Sequence, residues 1–121
     1  MLLRVEHQLR LFRSLIDYTN DTIEIINLET ERFLDVNEQA CRMHGYTREE
    51  YLSLTLPEVA PSLATCSWQK IVNDLRLRGS VLFKGEHRRK DGSTFPVEVR
   101  ATYTPPLSVN LVEPRTPSSA R

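Results

Sequence analysis

The clearest pattern of apolar and polar positions lies towards the C-terminal end of the chain, on either side of an Asp91-Gly92 pair. After this pair, apolar and polar side chains alternate strictly, which is the pattern of a half-buried antiparallel strand. An Asp-Gly turn between two such runs predicts a β-hairpin with strands at 81–89 and 93–103. The apolar positions after the turn are Phe95, Val97, Val99, Ala101 and Tyr103.

The same pattern selects the register of this hairpin. A two-residue loop would pair Lys84 with Val99, whereas a three-residue loop pairs Phe83 with Val99 and keeps apolar residues together. Because a slip of one residue turns every side chain to the other face, the three-residue loop is predicted. In that register His87 lies opposite Phe95, on the inner face of the sheet.

At the N-terminal end, apolar residues recur at spacings of three and four. This heptad pattern predicts an amphipathic helix over residues 1–18. Such a helix can dock on the core of its own domain or pair with a second copy of the chain. The narrow stripe favours pairing, so we expect a homodimer. The stripe consists of Leu2, Val5, Leu9, Phe12 and Ile16.

The region between these two ends predicts two short strands followed by helices. The first strand covers 22–28, with Ile23 and Ile25 alternating against Glu24, and the second covers 33–36. Asn37 is placed to cap a short helix that ends at Gly45, and a capping box at 47–50 opens the next helix.

A longer helix is expected from about 65 or 67 to 78, after two prolines at 57 and 61 that should interrupt regular structure. Its apolar face is formed by Trp68, Ile71, Val72 and Leu75.

The last segment, 105–121, predicts either an irregular tail or a degenerate final strand. Leu107, Val109 and Leu111 alternate as in a strand. However, Pro105-Pro106 is a poor two-residue hairpin turn, because neither proline can adopt a positive φ. The sequence therefore leaves the last strand open.

Composition and charge exclude several classes of function. The formal net charge of zero gives no electrostatic footprint for nucleic acid or for an anionic membrane. The two cysteines lie far apart, so neither a zinc site nor a disulfide framework is predicted. No apolar run is long enough to span a membrane, and the charged N-terminus does not fit a secretory signal. We therefore expect a cytoplasmic protein with no membrane contact within this chain.

With these pieces in order, the chain resembles a PAS domain, the sensor-box module of bacterial signalling proteins. The resemblance rests on the segments 11–16, 21–23, 33–41, 45–52 and 85–93, and covers about residues 11–103. It implies an α+β fold: an antiparallel sheet of about five strands, flanked by short helices and one longer helix. The implied division is an N-terminal helix at 1–18, a sensor domain at 19–104 and the segment 105–121.

The resemblance also implies a function. Such modules sense a ligand or a partner, dimerise, and relay the signal to a histidine kinase or cyclic-di-GMP output domain, as in two-component systems. No output motif is present in this chain, so it is expected to be a fragment of a longer protein that carries the output domain, or a stand-alone sensor. No catalytic or metal-ligating set is predicted, so we expect no enzyme activity. A flavin-bound redox sensor and a small enzyme of related fold are the alternatives.

Family members carry haem, flavin, small metabolites or nothing. Haem is disfavoured because the long helix has no histidine to act as axial ligand. A non-covalent flavin or a small organic ligand is a possible occupant of the implied site. Apolar and aromatic residues at these spacings usually fill a core, so the first expectation is that no cofactor is bound. The implied pocket, between the long helix and the inner sheet face, is lined by Trp68, Ile71, Val72, Leu75, Phe83, His87, Phe95 and Val97.

Overall fold

The computed structural model describes Asp17, residues 20–61 and residues 66–115, without the side chains of residues 66 and 67. The predicted helix at 1–18, with its stripe from Leu2 to Ile16, lies outside the described residues apart from Asp17. The elements are, in chain order, β1 Thr22–Asn27, β2 Arg32–Val36, α1 Glu38–His44, α2 Arg48–Leu52, α3 Leu56–Val59, α4 Cys66–Arg78, β3 Ser80–Arg88, β4 Thr94–Thr104 and β5 Leu107–Pro114.

The five strands form one antiparallel sheet in the order β2-β1-β5-β4-β3. Helices α1 to α4 pack their apolar side chains on its inner face, where Phe33 and Val36 from the sheet meet Ala40, Tyr51 and further helix residues. A helix layer on one face of an antiparallel sheet is an α+β architecture, and it confirms the predicted fold class.

The register of the β3–β4 hairpin is the one predicted from the hydrophobic pattern. Phe83 pairs with Val99, and His87 pairs with Phe95 on the inner face. The loop turns at Gly92, whose φ of 92° lies in the left-handed region that glycine adopts without strain. The three-residue loop is thereby confirmed.

The last strand, which the sequence left open, forms and occupies the middle of the sheet. β5 pairs with β1 on one side and with β4 on the other. The turn between β4 and β5 contains a cis peptide bond between Pro105 and Pro106. Turns of this type need no residue with a positive φ, so two prolines can occupy it. The segment 107–114 is therefore a regular part of the domain and not an irregular tail.

The helix boundaries follow the local signals. Asn37 caps α1 by accepting a hydrogen bond from the Ala40 N–H, and Gly45 ends it with a φ of 82°. The capping box opens α2, and α4 ends before Gly79. One expectation was wrong: Pro57 does not interrupt structure but lies in the first turn of α3, where a proline lacks only a donor that would be unpaired.

The alternation along β1 suggests that Ile23 and Ile25 face the core and Glu24 faces solvent, but the structure has these faces reversed. Glu24 and Ile26 lie on the inner face with Val36, whereas Ile23 and Ile25 pair with Leu111 and Val109 on the outer face. Side chains directly opposite each other in an antiparallel pair share a face, which fixes this assignment. A glutamate is thus placed inside the core.

Candidate functional site

Asn37 joins the start of the sheet to the start of the first helix. Its side-chain Oδ1 accepts hydrogen bonds from the N–H groups of Ile23 and Ala40, at 3.0 and 3.1 Å. Its Nδ2 donates to the carbonyl of Asp21 at 2.6 Å. Because this amide is fully buried and holds both β1 and α1, the positions of Glu24 on β1 and His44 on α1 are fixed relative to each other.

Four polar side chains from four different elements meet inside the core, and we call this set the core polar chain. It consists of Glu24 from β1, His44 from α1, Tyr51 from α2 and His87 from β3. Their exposed fractions are 1%, 0%, 0% and 3% in that order. Burial this complete is rare for glutamate, and each of the four polar groups needs a partner to offset the loss of water.

The hydrogen bonds run through the set in a continuous line. The Tyr51 hydroxyl donates a short hydrogen bond to Glu24 Oε2 and lies 3.3 Å from His44 Nδ1. His44 Nδ1 is also 2.9 Å from the carbonyl oxygen of Ala40. His44 Nε2 lies 2.9 Å from His87 Nδ1. The core polar chain therefore spans the interior from β1 to β3.

These partners assign the tautomers of both imidazoles. A carbonyl oxygen can only accept, so His44 carries its proton on Nδ1 and presents the lone pair of Nε2. His87 must then donate from Nδ1 into that lone pair. Both rings are neutral in this arrangement, and the protons on the two Nδ1 atoms have assigned positions.

Burial explains the acid–base properties of the set. Desolvation raises the pKa of Glu24 to about 7, although hydrogen bonds from Tyr51 and Asn110 oppose the shift. Desolvation lowers the pKa of His44 to about 4, against the bond to Ala40, and that of His87 to about 3, with His44 adding a smaller effect. The pKa of the Tyr51 hydroxyl is raised well above its usual value, first by burial and then by Glu24.

The far end of the line continues into the central strand. Asn110 on β5 hydrogen-bonds Glu24, and the Ser108 hydroxyl donates to Asn110 Oδ1 at 2.6 Å. Among the described residues, no buried side-chain nitrogen or oxygen lacks a hydrogen-bond partner. A buried network that is fully satisfied rigidifies a core, whereas a partly satisfied one would destabilise it.

A surface cleft lies between the C-terminal end of α1 and the tip of the β3–β4 hairpin. It has a volume of about 430 Å³ and is lined by His44, Gly45, Arg89, Lys90 and Asp91. The hairpin tip is held there by two bonds of Lys90: its N–H donates to the His44 carbonyl at 2.9 Å, and its Nζ lies 2.7 Å from Glu50 Oε2. The end of α1 is therefore the point where the interior approaches solvent.

The residues of the predicted pocket are distributed over the inner face. Val72 and Leu75 are buried in one apolar cluster, and Phe95 and Val97 in another. Phe83 packs against both clusters, Trp68 contacts the first of them, and Ile71 is half-buried. Their role in holding a ligand stays a prediction.

His87 is the one titratable member of that pocket, and a buried imidazole needs a polar partner, which is His44. Three members of the core polar chain were missed: Glu24, His44 and Tyr51. Counting the inner face of β1 from Ile26 and Leu28 would have placed Glu24 inside, since residues two apart share a face. Nothing local in the sequence indicates that His44 meets a histidine 43 residues away.

Comparison with known proteins decides the family. The family model for PAS domains matches residues 20–112. The chain belongs to the PAS domain family. This confirms the resemblance drawn from the sequence. Such domains are typically non-catalytic sensory modules of signalling proteins.

Relatives of this PAS domain come from sensor proteins. It is 30% identical over 90 residues to a methyl sulfide methyltransferase-associated sensor of Methanosarcina acetivorans, matching 74% of this chain but only 9% of that protein. It superposes on a PAS domain from a two-component sensor histidine kinase with a TM-score of 0.80 and 26% identity, covering 92% of this chain and 99% of that one.

A third similarity is of fold alone. A domain of a sensory box sensor histidine kinase/response regulator from Geobacter sulfurreducens has a TM-score of 0.75 at 22% identity, covering 90% of this chain and 96% of that one. Within the described part of the PAS domain, no helix is long and apolar enough to cross a membrane.

Proposed function

We propose that this PAS domain senses a small ligand or a protein partner and relays the signal through its flanking helices to an output domain. A histidine kinase or cyclic-di-GMP type of output is the expected class. The proposal is supported by the sensor relatives, one of which is a two-component sensor histidine kinase. The chain matches only 9% of the Methanosarcina sensor.

The observation that carries the relay is the apolar outer face of the sheet. Ile23, Ile25, Val109 and Leu111 lie side by side on β1 and β5, on the face opposite to helices α1 to α4. Leu82 on β3 lies on the same outer face, separated from Leu111 by Arg100 of β4, and it is 54% exposed. An apolar face of this kind is suited to bind an amphipathic helix, and the sequence predicts one directly ahead of β1.

The relay then works as a shift between two packing states. A signal that alters packing between α4 and the inner face moves the strands, and the strands carry the apolar outer face with them. The helix at 1–18 and its counterpart in a second copy dock on that face or on each other with altered geometry. A ligand can bias such an equilibrium only through a difference in affinity for the two states.

The helix-mediated dimer is tested by mass in solution. Deletion of residues 1–16 is expected to convert a dimer to a monomer, measured by light scattering after size exclusion. Leu82→Glu should weaken the dimer because it places a charge on the outer face. The matched control is Leu77→Glu on α4, where the side chain is 83% exposed and on the other side of the sheet. A dimer that survives the deletion contradicts the helix-mediated version.

Ligand sensing is tested by mass spectrometry of the denatured protein after purification under native conditions. A stoichiometric small molecule would support a resident ligand, and screening of metabolite pools against thermal stability would identify one that binds reversibly. Absorption bands in the visible range would instead favour the flavin-bound redox sensor. If neither approach finds a ligand, the signal is a protein partner and not a small molecule.

A further inference from the structure

We propose that Glu24, His44 and His87 form a site for a single divalent transition-metal ion, such as Zn²⁺, in the interior of the domain. The site does not depend on the dimer, and it shares only His87 with the predicted pocket. It would make this PAS domain a metal-responsive or metal-stabilised module.

The three side chains provide the donor set that such ions prefer. One ligand atom from each lies within 4.8 Å of the other two, although the residues come from β1, α1 and β3. Two imidazoles and one carboxylate are typical of zinc and of non-haem iron sites, whereas Ca²⁺ and Mg²⁺ select sites made of oxygen atoms alone. The chemistry of the set therefore points to a transition metal.

The spacing of the two nitrogens is close to that of two ligands of a shared ion. Two nitrogen ligands about 2.1 Å from one ion are about 3.4 Å apart at the tetrahedral angle that Zn²⁺ prefers, and about 3 Å apart at a right angle. His44 Nε2 and His87 Nδ1 are 2.9 Å apart. The lone pair of His44 Nε2 is already directed at this point, because its other ring nitrogen donates to the carbonyl of Ala40.

The groups around the donors resemble the outer shell of known metal sites. A metal-binding histidine usually donates its second ring N–H to a carbonyl or carboxylate, as His44 does to Ala40. The carboxylate ligand is usually hydrogen-bonded as well, and Glu24 accepts from Tyr51 and bonds Asn110.

An ion also needs a route to a buried site. His44 lines the cleft at the hairpin tip, which is held against α1 by the two bonds of Lys90. A small displacement of this tip would open the cleft towards Nε2 of His44. The carboxylate of Glu50 pairs with Lys90 and so offsets its charge near the mouth.

The competing account is that the two imidazoles serve only to hydrogen-bond each other. Their ring centroids are 5.1 Å apart, close to the about 5 Å expected when an N–H of one ring points along a line into the lone pair of the other. Metal binding would replace this shared proton: His87 would carry its proton on Nε2, and both rings would turn towards the ion. The two accounts therefore differ in whether the protein binds a metal ion, which can be measured.

The deciding experiment is a titration of the full chain, treated first with a chelator, with Co²⁺ and then with Zn²⁺. We expect visible Co²⁺ bands that saturate at one ion per chain, their loss on adding Zn²⁺, and a rise in the thermal midpoint with Zn²⁺. Imidazole NMR resonances of His44 and His87, but not of His7, should shift. The absence of saturable binding, or a shift confined to His7, overturns the proposal.

Variants assign the ligands. His87→Gln and Glu24→Gln should each weaken Zn²⁺ binding by roughly 100-fold or more, while His7→Gln and Cys41→Ser should leave it unchanged. X-ray absorption of the wild-type Zn²⁺ complex should show nitrogen and oxygen donors only, a readout that does not depend on the variants folding. A sulfur donor, or binding that survives His87→Gln, assigns the ion to another site and overturns the proposal.

Discussion

Replacement of Glu24 by glutamine should change the dependence of stability on pH. The folded-state pKa of Glu24 is raised from 4.5 to about 7, so the folded protein favours the neutral carboxyl. A raised pKa contributes stability that is fully present below pH 4.5 and is lost as the pH rises through about 7. The glutamine side chain has nearly the same size but no charge, so this loss should be absent in the variant.

The magnitude follows from the shift. A difference of one pKa unit corresponds to about 1.4 kcal/mol, so the shift from 4.5 to about 7 amounts to roughly 3 kcal/mol between acid and alkaline conditions. Glutamine replaces one oxygen of the carboxyl group with an NH₂ group, which donates and cannot accept from Tyr51 or Asn110, and this costs about 1 kcal/mol. We therefore expect the two proteins to be about equally stable near pH 5, the wild type to be the more stable one below pH 4.5, and Glu24→Gln to be the more stable one near pH 9.

The assay is urea unfolding followed by the fluorescence of Trp68, the only tryptophan of the chain, with a chelator present throughout. The difference between wild type and variant is the quantity of interest, because the histidines titrate in both and their effect largely cancels. Glu113→Gln is the matched control, since this glutamate is exposed on β5. A difference that stays constant from pH 5 to pH 9 would refute a buried carboxyl that ionises only at raised pH.

Three further predictions concern single elements of the fold. His44 and His87 have folded-state pKa values lowered to about 4 and about 3, so their contribution to folding stability is fully present above pH 6.5 and is lost as the pH falls towards 3. His87→Gln should reduce this loss of stability at acid pH, measured as the thermal midpoint against pH. An unchanged dependence on pH would contradict the assignment. Asn37→Ala removes the cap of α1 and leaves buried backbone groups unpaired, so urea unfolding should show a loss of about 3 kcal/mol, and a loss no larger than for an exposed cap would disprove its bridging role. Leu75→Ala removes a fully buried side chain and should lower the free energy of unfolding by about 2–5 kcal/mol. Leu77 is 83% exposed on the same helix, so Leu77→Ala should change it by no more than about 0.5 kcal/mol. Similar losses for both variants would contradict the orientation of α4.

The parts of the fold that depend on local signals were predictable from the sequence. The register of the β3–β4 hairpin follows from its own alternation and from Gly92, and the start of α1 follows from Asn37. Each of these signals involves residues that are close in the chain, so no knowledge of the rest of the molecule is needed.

The inner and outer faces of β1 and β5 were harder, because both faces of this sheet carry apolar residues. Ile23 and Ile25 on the outer face are as apolar as Ile26 on the inner face, so alternation alone cannot say which side is the core. Along β5, the residues that point inwards are Ser108, Asn110 and Val112, and two of these are polar. A period of two identifies a strand but leaves its orientation undetermined when both sides are covered.

The core polar chain depends on contacts between distant parts of the sequence. His44 and His87 are 43 positions apart, and Tyr51 and Glu24 are 27 apart. Residue types alone indicated that an inner-face His87 would need a partner. Which residue supplies it is determined by how α1 and β3 pack, and that arrangement is not encoded in any local pattern.

The central position of β5 has a consequence for how the protein is made. The strands that precede it form two separate hairpins, β1–β2 and β3–β4, which share no ladder until residues 107–114 insert between them. A ribosome releases this strand after the other four, so the growing chain carries two unjoined ribbons with open edges until β5 emerges. A chain that stops before Leu107 would accordingly consist of two hairpins that no strand joins, and their open edges would make it prone to associate with other chains.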